Sequence, residues 1–172
     1  MIKITSPLPA DYPGYYGTYI RKVKGDDLIK SLTEIHQQTK DVLKNVSEEK
    51  LNYRYAPGKW TIKEIIGHLA DGERVFAYRA LCFARNDKTP LPAFEENDWA
   101  IASNAGQRTF SELMDEFDAV RESTLRLFKS FDEEMILRKG IANEVEISVK
   151  AIGYSIAGHE LHHAEVIKER YL

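Results

Sequence analysis

Residues Thr109 to Phe131 read TFSELMDEFDAVRESTLRLFKSF, the most regular stretch in the chain. Phe110, Leu113, Phe117, Val120, Thr124, Leu127, Phe128 and Phe131 recur at three- and four-residue spacing, which gathers side chains on one face of an α-helix. Its opening, Thr109-Phe-Ser-Glu112, reads as a capping box in which the threonine oxygen accepts from a free backbone N–H. Such a stripe is buried only against other elements, and three further stretches supply them. Asp26 to Val46 puts Leu28, Leu32, Ile35, Thr39, Val42, Leu43 and Val46 on one face. Thr61 to Asn86 opens on a second capping box, Thr61-Ile-Lys-Glu64, and turns Ile62, Ile65, Ile66, Leu69, Phe76 and Phe83 inward. Ser148 to Leu172 carries Ile152, Ile156, Val166 and Ile167 in register.

Four amphipathic helices of this length bury their stripes against one another, so the expected fold is all-α, a four-helix bundle. Between the second and third helices lies a long connection, 87–108, with Pro90, Pro92 and a short helix around Glu95–Ala102. It is long enough to let one pair of neighbouring helices run parallel. Residues 1–24, rich in Tyr, Pro and Gly, read as an irregular arm. Val145, Ile147 and Val149 make at most a brief extended lead-in to the last helix. With 172 residues, 1–172 reads as one domain. Lys and Arg number 24 against 27 Asp and Glu, and the two signs are interspersed along every helix, so no nucleic-acid partner is expected. Apolar runs are too short for a membrane span. A lone Cys82 and an N-terminus without a charged-then-apolar leader point to the cytoplasm.

The five histidines carry the chemistry. His159 and His163 stand one turn apart in the middle of the last helix's stripe, so both imidazoles point into the bundle as a chelating pair. Two imidazoles in an apolar core both need partners, and a divalent metal meets that need by taking a lone pair from each. A packed, hydrogen-bonded histidine core is the bland alternative. His68 lies at the margin of the second helix's apolar face, with Gly72 one turn on leaving space beside the ring. His36 and His162 read as surface or packing residues. His159-Glu-Leu-His-His163 also satisfies H-E-x-x-H, the motif of zinc peptidases. Those enzymes take a third ligand downstream, and only nine residues follow His163; they also need a strand to hold substrate backbone. The zincin-like peptidase reading therefore lacks its context.

Pro57-Gly-Lys-Trp60-Thr-Ile-Lys-Glu-Ile-Ile-Gly-His68-Leu-Ala-Asp71, followed by Gly158-His-Glu-Leu-His-His163, resembles the DinB/YfiT-like family of metalloenzymes. These damage-inducible bundles are unrelated to the DNA polymerase of similar name. The resemblance spans about Asp26 to Arg170. It implies up-down-down-up connectivity and a divalent metal on His68, His159 and His163. Many relatives carry His-Arg-Gly-Gln-Ile or similar after the last ligand, where this chain has His163-Ala-Glu-Val-Ile, so any role for that glutamine's amide is not carried over. Zinc or nickel is the expected ion, with iron or manganese as further candidates.

The resemblance further implies a metal that activates water or a thiol on a small-molecule substrate, as in a hydrolase or a transferase of a low-molecular-weight thiol. Glu160, beside His159, is the first candidate for a catalytic base and Asp71, one turn beyond His68, the second. On the bland reading each is a solvated charge. Trp60 reads as a hydrophobic staple, while Phe94 and Trp99 either roof the pocket or pack over the bundle. The competing class is a non-catalytic, stress-related bundle whose metal or histidine core stabilises it and whose surface forms a homodimer.

Overall fold

The computed structural model describes residues 2–172. Four long helices form the body: α2 (Leu28–Leu43), α4 (Ile62–Ala84), α6 (Phe110–Lys129) and α8 (Val149–Arg170). Short helices punctuate the connections: α1 (Gly17–Ile20), α3 (Glu48–Leu51), α5 (Glu96–Ala102) and α7 (Glu133–Leu137). The expected capping boxes close at Thr61–Glu64 and Thr109–Glu112, and Asp27 and Ser148 cap α2 and α8 by accepting from the N–H of Lys30 and Ala151.

The buried apolar residues fall into two clusters, and each cluster fixes a direction. One gathers Leu28 and Leu32 from the start of α2, Phe76 to Ala84 from the end of α4, Leu125 and Phe128 from the end of α6, and Val149 to Ala157 from the start of α8. The other takes Leu43 from the end of α2, Ile62 to Ala70 from the start of α4, Leu113 to Val120 from α6, and Ile167 near the end of α8. The helices therefore run up, down, down, up. Around the bundle the order is α2, α8, α4, α6, so the sequence neighbours α4 and α6 lie side by side and parallel. The 87–108 connection carries the chain back over the length of the bundle, as its length permits.

Between the two clusters lies a polar layer centred on Arg121, which is 2% exposed. Its guanidinium donates to both oxygens of Glu73 on α4 at 2.9 and 2.7 Å, and to the Leu32 carbonyl on α2 at 2.7 Å. Glu160 Oε2 on α8 lies 2.8 Å from Nη2, a charge contact outside hydrogen-bond geometry. One side chain of α6 thus touches the other three long helices. His36 extends the layer: its Nδ1 meets Glu160 Oε1 at 3.1 Å and its Nε2 meets Asp118 Oδ1 at 2.7 Å. His36, expected at the surface or in plain packing, is a buried member of the network.

Two segments depart from the sequence reading. Residues 139–148 form a hairpin of β1 (Lys139–Ala142) and β2 (Val145–Ser148) rather than a bare lead-in. Asn143 and Glu144 both take left-handed φ, 51° and 63°, as the tight two-residue turn requires. Leu91 joins the hairpin edge, its N–H donating to Ile141 O at 2.9 Å. The N-terminal arm, for its part, docks along α8. Tyr154 Oη donates to Ile4 O at 3.2 Å, and Lys150 pairs with Asp11 at 3.0 Å. At Gly158 the arm comes so close that any Cβ would collide with the Tyr19 carbonyl. Among the described residues no helix is long and apolar enough to cross a membrane.

Burial pushes the Glu160 carboxyl up, but Arg121 and His36 outweigh it and hold it below the usual carboxylate range. The stability this group lends is complete above the unfolded value of about 4.3 and is lost as pH falls through the lower folded value. Arg121→Met leaves Glu73 and Glu160 without their guanidinium and lowers the unfolding free energy by about 3–5 kcal/mol at neutral pH. The deficit narrows in acid, because the stranded carboxylates take up protons there. Urea denaturation at pH 7 and near pH 4.5 measures both effects; an equal loss at the two values would mean that Arg121 does not hold these carboxylates.

Candidate metal centre

His68 sits within the first two turns of α4, and His159 and His163 occupy successive turns of α8, which packs against α4. The structure brings all three together. His68 Nε2 lies 3.0 Å from His159 Nε2, which lies 3.1 Å from His163 Nε2. One ligand atom from each ring falls within 4.8 Å of the others, and among the described residues no carboxylate or thiol joins the group. Gly72, one turn on from His68, lies directly against the His159 ring. A Cβ there would sit 3.4 Å from His159 Cε1, so the space beside His68 is filled by the second imidazole. Trp60 packs against the rings from the other side, 4.6 Å from His68 and stacked 6.2 Å from His163.

Burial draws His68 down to about 4. It draws His159 down to about 3, with His68 and His162 adding to the effect. His163 is held well below the ordinary histidine value, again by burial first and by the neighbouring rings second. All three are neutral at pH 7, each with one N–H and one lone pair. His159 Nε2 therefore has a single proton or a single lone pair to serve two close nitrogens. A divalent ion resolves this crowding by accepting a lone pair from every ring. Nitrogens bound tetrahedrally at 2.0–2.1 Å stand roughly 3.3 Å apart, so the His68–His159 and His159–His163 contacts need to open by only a few tenths of an ångström. The donor set thus fits a three-histidine ion with room for further ligands.

Two hollows reach the cluster. A cleft of about 260 Å³ is bordered by His68 and His159 together with Tyr15, Tyr16 and Tyr19 of the arm, Phe76, Arg79, Phe94, Glu96 and Asn143. On the opposite side a pocket of about 230 Å³ touches His163 and is bounded by Trp60 and Tyr171. The arm and the hairpin are therefore walls of the candidate site. Tyrosines in the arm were visible in the sequence, but nothing in their spacing linked them to His159; the close approach at Gly158 does so, with the Tyr19 ring edge-on to that of His159 at 5.3 Å.

The two carboxylates expected to act as base lie elsewhere. Glu160 is 1% exposed, and its carboxylate is committed to Arg121 and His36 between α2 and α6, away from the imidazoles facing α4. One residue along a helix turns a side chain by about 100°, which here carries it into a different interhelical seam. Asp71 pairs with Arg74 at 3.2 Å and borders a separate apolar groove with Trp99. Burial raises its carboxyl, with Arg74 opposing. The carboxylate that borders the cleft is Glu96 of α5, which the sequence reading did not single out. Phe94 walls the cleft, whereas Trp99 does not. His162 is not among the converging nitrogens; its ring lies edge-on to Tyr19 at 5.6 Å and to His163 at 5.1 Å.

This geometry separates the adjacent histidines. His163→Ala or His68→Ala weakens zinc retention by at least about tenfold, while His162→Ala leaves it near the wild-type value. Elemental analysis of protein purified without chelator or nickel resin is the measurement; equal loss in His162→Ala and His163→Ala would contradict the assignment.

A family model described as the DinB superfamily matches residues 31–167. "Putative metal-dependent hydrolase OB0413" of Oceanobacillus iheyensis is 28% identical over 155 residues, covering 86% of this chain and 87% of that protein. "Putative metal-dependent hydrolase GK0616" of Geobacillus kaustophilus is 24% identical over 139 residues, covering 78% and 77%. Among solved structures, YfiT from Bacillus subtilis superposes with a TM-score of 0.72 at 18% identity over 83% of this chain and 82% of that one. It is described as a "probable metal-dependent hydrolase with an unusual four-helix bundle topology", and its likeness here is one of fold. The profile match covers most of the four helices and both histidine-bearing segments: the chain belongs to the DinB superfamily.

Proposed function

We propose that the protein is a metal-dependent hydrolase of a small-molecule ester or amide. The observation that carries this reading is the convergence of three neutral imidazole nitrogens at the side of an open cleft, with no fourth protein ligand among the described residues. A closed structural site supplies four ligands, whereas a catalytic one leaves a position free. The names of the relatives support hydrolysis as the reaction class. An ion held by His68, His159 and His163 would supply Lewis acidity and lower the pKa of water beside it.

The chain's own groups divide the remaining work. The arm tyrosines and Phe94 enclose the substrate and thin the water around it. Glu96, the carboxylate of the cleft, accepts the proton of the attacking water at an Oε atom and returns it to the leaving oxygen or nitrogen. In balance, the water oxygen forms the new bond to the carbonyl carbon, the ester C–O or amide C–N bond breaks, and the proton ends on the leaving group.

A panel of small esters and amides, assayed with zinc-loaded protein, tests the reading, with thiol addition to electrophiles as a parallel arm. Glu96→Gln lowers kcat by about 10²-fold or more without loss of zinc. Glu160→Gln leaves kcat within a factor of a few at low temperature and lowers the thermal midpoint instead. Turnover confined to thiol addition would move the assignment to thiol transfer. Unfolding on chelation would favour a structural ion.

A further inference from the structure

Arg79 is 4% exposed and lacks the partner that its burial calls for. Every other buried cation among the described residues has a carboxylate at ion-pair distance: Lys63 has Glu48, Lys150 has Asp11, and Arg121 has Glu73 and Glu160. Arg79 has none. A single hydrogen bond is made, from Nη2 to the Pro92 carbonyl at 2.6 Å, and the rings of Phe76 and Phe94 lie 5.8 and 6.0 Å from Cζ. Tying the 87–108 connection to α4 requires one donor and no charge. A guanidinium has five N–H donors in a planar fork matched to a carboxylate, and burying it unpaired is costly.

Arg79 borders the same cleft as His68 and His159, and also the neighbouring apolar groove with Trp99. His68 and Arg79 are eleven residues apart on α4, which returns them to the same face within about 20°. Phe76 lies between Arg79 and the imidazoles. Its ring centroid is 5.8 Å from Arg79 Cζ and 6.0 Å from the His159 ring, so guanidinium and imidazole stand no more than about 12 Å apart. Glu96 borders the cleft as well but stays beyond ion-pair distance of Arg79, leaving the guanidinium donors other than the one on Pro92 without a protein partner.

Building on the hydrolase reading above, we propose that Arg79 is a specificity-determining residue that binds the carboxylate of the substrate. The cleft takes a small organic acid: its carboxylate lies bidentate on Arg79, its flat or acyl body along Phe76 beneath the arm tyrosines, and its ester or amide at the three imidazoles. The counter-charge missing from the fold is the one the ligand brings.

The test uses benzoate and its neutral isostere benzamide as probes, titrated by calorimetry or ligand-observed NMR into zinc-loaded and chelator-treated wild type. Benzoate binds at least about tenfold more tightly than benzamide in both forms, the scale of one charge-assisted pair. Arg79→Gln erases the preference while zinc content stays unchanged, and Arg79→Lys, which keeps the charge without the fork, retains part of it. Equal binding of the two probes by wild type overturns the proposal and requires no variant to fold. So does a benzoate preference that survives Arg79→Gln, or one that vanishes on chelation and so belongs to the metal. Inorganic phosphate displacing benzoate at lower concentration than benzoate itself binds overturns the carboxylate assignment. A benzoate preference that depends on Arg79, in a protein that hydrolyses none of the ester panel, supports this proposal while refuting the hydrolase reading.

Discussion

One guanidinium joins the four long helices of this bundle. Arg121 contacts Glu73, Glu160 and the Leu32 carbonyl, at the level where the apolar core divides in two. Buried ion clusters are poor sources of net stability, since desolvation offsets most of the attraction. Their effect is on alignment. Sliding α8 along α4 by one turn, about 5.4 Å, would strand Glu160 in the core without its cation. Glu160 adjoins His159 in sequence, and Glu73 adjoins Gly72, which lies against the His159 ring. The pairing that aligns α4 with α8 is thus the pairing that brings His68 to His159.

The bundle was legible because its apolar stripes recur with the helical period and its helix starts carry capping chemistry. Thr109, Thr61 and their glutamates do in space what their spacing implies. The hairpin was not legible, because its turn uses Asn143-Glu144 where the usual signal is a glycine, and its strands are four residues long. The last helix was the weakest of the four stripes for a different reason. Residues 149–160 are buried all the way round, since α8 packs against α1, α2 and α4, and a helix enclosed on all sides has little amphipathic contrast.

At the site, the inward pair His159 and His163 followed from geometry, and the family resemblance raised His68 from a candidate at the margin of its helix face to a ligand. What failed was the rule that charged residues on an amphipathic helix face water. Glu160 follows Ile156 by four, Glu73 follows Leu69 by four, Arg121 follows Phe117 by four and Arg79 precedes Phe83 by four, so all four charges stand on the inward stripes and all four are buried. The error at Glu160 had a definite source. Its neighbour His159 faces α4, but a step of one residue turns the next side chain toward α2 and α6, where a cation and an imidazole await it. No local pattern in α8 announces an Arg on another helix; only the assembled core brings Arg121 to Glu160.

His68 and His159 are 91 residues apart in the chain, and Arg121 lies between them. During synthesis α2, α4 and α6 emerge before α8, which contributes two of the three imidazoles and one of the two carboxylates around Arg121. Until α8 docks, the guanidinium, the Glu73 carboxylate and the apolar ends of three helices remain open to water and to other chains. The order of translation therefore leaves a waiting period in which the nascent protein has helices but neither a closed core nor an ion-binding site. Long-range closure of this kind is slow relative to local helix formation, so the apolar ends of the first three helices stay exposed until α8 docks.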